Sequence, residues 1–481
     1  MRIAANGSHA IDATVQRWFM IRIFRHYIPV SLLVIGLLEF ALMIVSIYLA
    51  LMLRWADTSD IGATITTNLP QALTFAAVFS CVMLSVGLYQ KENMRAFGTV
   101  LSRLVFSFGF GFVVLALTYF VVPGLAIWRS AVGIGMAFSF VGIVAFRWLY
   151  LRITDSDGLK RRILVLGVGA RAARIDELER CNRSVGFRCV GFVPLSDRSV
   201  KIDERRDMWG NLRLADLADE QDIEEIVVAL DDRRAGMPVD ALLDCKLAGI
   251  AVTEYSTFWE RETGRVDLDA LHPSWMIFSD GFVGGGLQAI AKRGFDLLAS
   301  LAILVWTLPL LMVTAIAVRL ESPGAVLYRQ ERVGLNGKPF MLNKFRSMRA
   351  DAEKDGVPKW AAVNDSRVTM VGRLIRKSRI DEIPQVLNIF KGEMSLIGPR
   401  PERPFFVDRL RDAIPYYFER HRVKPGISGW AQLNYPYGAS DEDALQKFQF
   451  DLYYVKNYSL FLDLLVLIQT VRVVLWPVGA R

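Results

Sequence analysis

Between Arg376 and Glu402 the chain reads RKSRIDEIPQVLNIFKGEMSLIGPRPE, which sets the adjacent acids Asp381 and Glu382 between two groups of cations. Two neighbouring carboxylates stay ionised beside phosphate only where a divalent cation or Arg and Lys offset the repulsion, and Arg376, Lys377 and Arg379 lie just upstream. Oxygen ligands combined with phosphates suit Mg²⁺, so Asp381 and Glu382 are candidate metal ligands. Pro384 lacks an N–H and is tolerated in a first helical turn, so a helix is expected to start within 383–390 with Asp381 near its N-cap. Such an end offers free N–H groups and a positive dipole end to a carboxylate or a phosphate. An acidic pair opening a helix is ordinarily only a cap on a solvated face, so the surroundings must decide.

Those surroundings begin with a membrane. At 481 residues, 53% of them hydrophobic, the chain is too long for one ordinary domain and too apolar to be wholly soluble. Apolar runs at 28–53, 70–89, 104–122 and 127–151 are each long enough to cross the ~30 Å hydrocarbon core as a helix. Arg17, Arg22 and Arg25 precede the first run, Lys91, Arg95 and Arg103 separate the second from the third, and Arg152, Lys160, Arg161 and Arg162 follow the fourth. The other two loops are poor in Lys and Arg, so both ends of this bundle are expected in the cytoplasm. The first run is too long for a signal-peptide core and lacks a small-residue cleavage site, so it is expected to be retained. Cys81, Cys181, Cys189 and Cys245 form no CxxC or Cys/His cluster and are expected to be free thiols.

From Arg161 to about residue 282 hydropathy falls and strands alternate with helices. Strands are expected at RRILVL, 190–193, 225–230 and 250–254. Gly167, Gly169 and Ala172 fit the glycine-rich turn of dinucleotide-binding folds, but the acidic residue that would bind a ribose has no good candidate, since Asp197 lies too far on. The reading is a Rossmann-like domain without nicotinamide turnover, with nucleotide binding as the alternative. The absence of any YxxxK argues against an epimerase or dehydratase. A fifth apolar run, 295–318, contains Pro309 and is followed by Arg319, Arg329 and Arg332. Hydropathy alone reads it as a kinked spanning helix. The flanking charges instead favour a bent segment that enters and leaves by one face.

With these parts assembled, the chain from Lys292 onward resembles the bacterial sugar transferases, monotopic polyprenyl-phosphate hexose-1-phosphate transferases. The likeness rests on KRGFDLLAS, ESPGAVLYRQERVGLNGKPF, NKFRSM, DSRVTMVGRLIRKSRIDEIPQVLNIFKGEMSLIGPRPE, RVKPGISGWAQLN and FDLYYVKNYSLFLDL. A four-span bundle with a Rossmann-like middle resembles the large members. HPSWMIF and the turn at 279–282 resemble transferases of exopolysaccharide loci. The expected architecture is a membrane α-helical bundle of four spans (1–155), an α/β Rossmann-like, CoA-binding-like cytoplasmic domain (156–285), and a mainly α monotopic catalytic domain (286–481) with a re-entrant helix at 293–320 broken at Pro309.

The resemblance implies transfer of hexose 1-phosphate from UDP-glucose or UDP-galactose to undecaprenyl phosphate with release of UMP, assisted by Mg²⁺. Asp381 matches the family nucleophile and Glu382 its helper in metal and proton handling. Arg376 and Arg400, the latter between two prolines, would meet the donor's phosphates. Lys344, Arg346, Gln385 and Asp451 are further substrate-binding candidates, although each cation could equally face solvent or lipid headgroups. The site is expected on the cytoplasmic face of a bacterial inner membrane, with a possible homodimer and no nucleic-acid partner. One departure from the family is Leu308 where a serine usually precedes the breaking proline, with Thr307 one residue earlier. The rival readings are a non-enzymatic scaffold or nucleotide sensor of a polysaccharide assembly complex, and a sugar-nucleotide dehydratase.

Overall fold

The computed structural model describes residues 20–54, 67–90, 97–154, 160–181, 186–194, 214–231, 237–271, 276, 279–282, 285–349, 367–435, 438 and 440–475. Asp197 and most of HPSWMIF lie outside them. Tyr27–Thr263 belong to one compact unit, and Gly264–Arg481 with Ile23–His26 belong to a second.

A short hairpin, β1 (Met20–Ile23) and β2 (His26–Pro29), whose residues 23–26 belong to the second unit, precedes the first unit's helices α1 (Val30–Arg54), α2 (Leu69–Ser85), α3 (Phe97–Val121) and α4 (Arg129–Thr154). Their shared core includes Met43, Ile47, Phe75, Phe79, Phe108 and Ile143. Buried Glu39 pairs with Arg147 at 2.6 Å and accepts from the Tyr89 hydroxyl at 2.7 Å, so this charge among apolar helices is partnered. Among the described residues, four helices are long and apolar enough to cross a membrane: α1, α3, α4 and the later helix Gly286–Glu321. The expected span at 70–89 is shorter than the sequence indicates. Helix α2 ends after 17 residues, ~25 Å of rise, because Gly87 adopts φ 77° and Leu88 N–H closes back on the Met83 carbonyl.

Beyond the bundle, β3 (Arg161–Leu166), β4 (Phe187–Val193), β5 (Glu225–Val228) and β6 (Ala251–Glu254) form one parallel sheet in the order β4-β3-β5-β6. Helices α5 (Ala170–Cys181), α6 (Leu214–Glu220), α7 (Val239–Leu247) and α8 (Tyr255–Thr263) connect and follow these strands. Gly167 at φ 124° makes the turn into α5, and a Cβ there would lie 2.7 Å from the Ala229 carbonyl. The N–H groups of Ala170 and Arg171, where a dinucleotide phosphate would sit, donate to the Asp231 carboxylate at 2.7 and 3.1 Å. The chain thus supplies its own anion to that helix end.

The second unit is built on α9 (Gly286–Glu321), a 36-residue helix that contains Pro309. Toward its N-terminal end, buried Lys292 donates to Asp463 at 2.7 Å and to the Ile397 carbonyl at 3.2 Å, while Asp296 accepts from Ser395 and Leu396. At its other end, Val318 packs with Phe345 and Ile375, and Glu321 accepts from Val371 N–H. Both ends therefore rest on the same folded unit, while Leu301, Val305, Trp306, Leu308, Met312 and Val313 between them are exposed. Thr307 donates to the Ile303 carbonyl at 2.7 Å rather than to Val305, the carbonyl that Pro309 leaves without its helical donor. The rest of the unit comprises the antiparallel pair β7 (Leu327–Val333) and β8 (Pro339–Phe345), α10 (Met370–Lys377), α11 (Val386–Lys391), β9 (Ser395–Ile397), α12 (Pro404–Ala413), β10 (Gly426–Ser428), α13 (Trp430–Asn434), α14 (Asp441–Asn457) and α15 (Leu460–Leu475). Its core gathers Ile389, Leu396, Ile397, Tyr417, Trp430, Phe448, Tyr453 and Leu462.

Replacing Lys292 by Met strands the Asp463 carboxylate, which is 0% exposed, and should destabilise the detergent-solubilised protein by about 3 kcal/mol or more. A thermal unfolding midpoint equal to that of the unmodified protein would contradict this anchor.

Candidate active site

The acidic pair lies in a 3₁₀ turn, Ile380–Gln385, which is entered through Arg379 at φ 59°. Asp381 sits in the first turn, two residues after the capping position Arg379, and the α-helix begins at Val386, within the expected 383–390. Pro384 has no N–H to bond the Ile380 carbonyl, so a regular ladder forms only beyond it. Asn388, 0% exposed, fixes the turn beside β8. Its side-chain oxygen accepts from Asn343 N–H and Nδ2 at 3.1 and 2.9 Å, and its Nδ2 donates to the Met341 carbonyl at 2.7 Å. Lys344, the next residue on β8, is thereby placed against the acids.

Arg400 arrives from the other side. Strand β9 pairs in parallel with β10, and a Cβ on Gly398 would lie 2.3 Å from the Lys424 carbonyl, so only glycine fits this approach. The next loop is held by its carbonyls: Arg400 O accepts from Arg420 at 3.0 Å, Pro401 O from Arg332 at 2.9 Å and Glu402 O from Val333 N–H at 3.0 Å.

These elements converge on one oxygen. Glu382 Oε1 lies 2.8 Å from Arg400, 3.4 Å from Lys344 and 3.5 Å from Arg379. Burial alone would raise the Glu382 pKa, but Arg400, Lys344 and Arg379 outweigh it and hold this carboxyl well below the usual range. Asp381 shifts the other way, raised by burial and then by the Glu382 charge, with the same three cations opposing. Burial lowers the Lys344 pKa, and Glu382 opposes that shift. Asp381 Oδ1 is buried with no hydrogen-bond partner among the described residues. Such an unsatisfied buried acceptor is uncommon in folded proteins and marks a candidate catalytic or ion-binding position.

The other sequence candidates separate. Gln385 is buried in the same turn. Arg376 stays in the last turn of α10 and makes no ion pair with Asp381 or Glu382; Arg379, which the sequence reading left among the upstream cations, makes that contact. Arg346, expected to bind phosphate, instead closes the C-terminal end of α9 by donating to the Val318, Ser322 and Pro323 carbonyls at 3.3, 2.7 and 2.8 Å. Asp451, expected to contact substrate, is 2% exposed and ion-paired to Arg420 at 2.7 Å. Burial pushes its pKa up to about 6, against the opposing pull of Arg420. Among the described residues there is no cluster of three or more His, Cys, Asp or Glu suited to a metal. The donor set fits an ion held by Asp381 and completed by oxygens of a bound anion, as Mg²⁺ prefers, whereas Glu382 Oε1 already faces three cations.

Chemically, a buried carboxylate oxygen without a hydrogen-bond partner among the described residues, beside a carboxylate held by three cations, suits an anionic substrate, and a long apolar helix belongs to the same unit. Comparison with known proteins agrees. The bacterial sugar transferase profile matches residues 287–477. The chain is 32% identical over 355 residues to the UDP-glucose:undecaprenyl-phosphate glucose-1-phosphate transferase of Escherichia coli (strain K12), with 72% of each chain covered. It is 28% identical over 438 residues to the protein of the same name from Xanthomonas campestris pv. campestris, covering 86% of this chain and 87% of that one. Over 251 residues it is 45% identical to the UDP-N-acetylgalactosamine-undecaprenyl-phosphate N-acetylgalactosaminephosphotransferase of Aeromonas hydrophila, spanning 52% of this chain and 58% of the relative. The chain belongs to the bacterial sugar transferase family and is an enzyme of that kind.

The two carboxylates contribute to stability with opposite sign. The Glu382 pKa is depressed on folding, so its contribution is present above the unfolded carboxylate range near pH ~4 and is lost as pH falls through the folded value. The Asp381 pKa is raised, so its ionisation opposes folding increasingly as pH climbs from that range through the folded value. Asp381→Asn should therefore stabilise the protein at pH ~7.5, with the gain vanishing toward pH ~4. Thermal unfolding of both proteins across that range checks the sign.

Proposed function

We propose that the enzyme transfers a sugar 1-phosphate from a UDP-sugar to undecaprenyl phosphate in two displacements through Asp381. Oδ1 attacks the sugar-bearing phosphorus, forming an O–P bond as the bridging P–O bond breaks and UMP departs with the electron pair. A phosphate oxygen of the lipid acceptor then attacks the same phosphorus, restores the carboxylate and yields a diphosphate-linked lipid sugar. The observation that carries this reading is the unpartnered buried oxygen of Asp381 beside a carboxylate clamped by three cations. Its raised pKa makes Asp381 a more basic nucleophile. Arg400, Lys344 and Arg379 offset the incoming diphosphate's charge, and Glu382 keeps those cations gathered before substrate arrives. Asp381 together with donor phosphate oxygens would hold a Mg²⁺ ion, which when bound neutralises further charge on the diphosphate.

The acceptor carries its phosphate at headgroup level, which calls for a site on the membrane face. Because both ends of α9 rest on one folded unit, we assign it as a re-entrant helix that dips into the cytoplasmic leaflet and returns near Pro309. The donor is UDP-glucose, UDP-galactose or, given the Aeromonas relative, UDP-N-acetylgalactosamine. A non-enzymatic scaffold would have no use for an orphaned buried carboxylate, which costs about 1–3 kcal/mol in stability.

UMP release should be measured across a panel of UDP-sugars with undecaprenyl phosphate. One donor should support turnover, and Asp381→Asn should reduce it by about 10³-fold or more. Turnover by that variant at the unmodified rate would refute the nucleophile. A cysteine at Leu320, which is 81% exposed, should label from the cytoplasmic side. Labelling from outside alone would refute re-entry.

A further inference from the structure

Arg420 is 6% exposed, and its guanidinium joins three parts of the unit. One Nη donates to the Tyr417 hydroxyl at 2.6 Å. The other donates to the Arg400 carbonyl at 3.0 Å and to Asp451 at 2.7 Å. Tyr417 is itself held against Phe448 of α14, with ring centroids 5.3 Å apart. Asp451 lies on the same helix. Among the described residues, the Arg420 bond to the Arg400 carbonyl and the Arg400 guanidinium on Glu382 Oε1 link this pair to the acidic turn.

Arg400 stands between Pro399 and Pro401, so its backbone has little freedom: the following proline excludes the α region, and fixing the carbonyl sets the direction of the side chain. A buried charge pair is a poor source of stability but an effective way to select one arrangement. We infer that Arg420 and Asp451 are positioning residues, which orient the Arg400 carbonyl so that its guanidinium meets Glu382 and the donor's phosphates without touching substrate themselves. This inference rests on the transferase reading above and reassigns Asp451 within it.

The test is a double-mutant cycle in the full-length, detergent-solubilised enzyme, read as kcat/KM for UMP release. Arg420→Lys keeps the charge but cannot span three acceptors, and it should cost about tenfold or more in the unmodified background. In an Arg400→Ala background the same change should cost less than about threefold, because the residue being positioned has gone. Asp451→Asn should show the same dependence, and it serves as the cycle's partner if Arg420→Lys does not fold. Equal losses in both backgrounds would overturn the inference, since a general folding defect or a direct substrate contact would act independently of Arg400. Repeating the cycle as UDP affinity, on protein that already carries Asp381→Asn, removes the chemistry from the readout. Background dependence there supports the positioning role even where the covalent mechanism fails, and additive losses there overturn it.

Discussion

The site depends on holding one buried carboxylate oxygen, Glu382 Oε1, within reach of three cations. Three positive charges gathered without that anion would repel one another, and Glu382 without them would be an expensive buried charge. Each neighbouring element serves this arrangement. Asn388 locks the acidic turn to β8 and so to Lys344, the left-handed residue Arg379 turns the chain at the right point, and the close approach at Gly398 delivers Arg400. With the cations gathered on Glu382, Asp381 Oδ1 stays buried without a hydrogen-bond partner among the described residues, an unfavourable state for a folded chain and the one that the proposed nucleophile calls for.

Strand β9 ties this chemistry to the membrane. Its carbonyl at Ile397 and the groups at Ser395 and Leu396 bond Lys292 and Asp296 of α9, and three residues further on the same strand leads to Arg400. The long apolar helix and the residue that contacts the acidic pair are thus fixed to one short piece of backbone. The opposite end of α9 is closed by Arg346, so the apolar stretch between is offered to the bilayer from a rigid frame.

Much of this was legible in the sequence because it is local. The acidic pair, the nearby cations, the apolar runs and the four parallel strands are encoded by spacing within a few residues, and the strands at 161, 187, 225 and 251 start within a few residues of their expected positions. What escaped the sequence is what depends on distant partners. Lys344 and Arg346 are equivalent by type and two apart, yet one faces Glu382 and the other a helix end. Arg420 meets Asp451 across 31 positions, and nothing in either segment announces the pair. The ends of α2 and of the acidic turn were set by Gly87 and Pro384, whose effects depend on backbone angles that apolar periodicity does not report.

The most direct measurement of the central claim mixes enzyme with its active UDP-sugar and omits the lipid acceptor. The double-displacement account predicts a burst of about one UMP per active site and a sugar phosphate added to the peptide that contains Asp381. Release of UMP only in the presence of undecaprenyl phosphate, with Asp381 unmodified throughout, would contradict it.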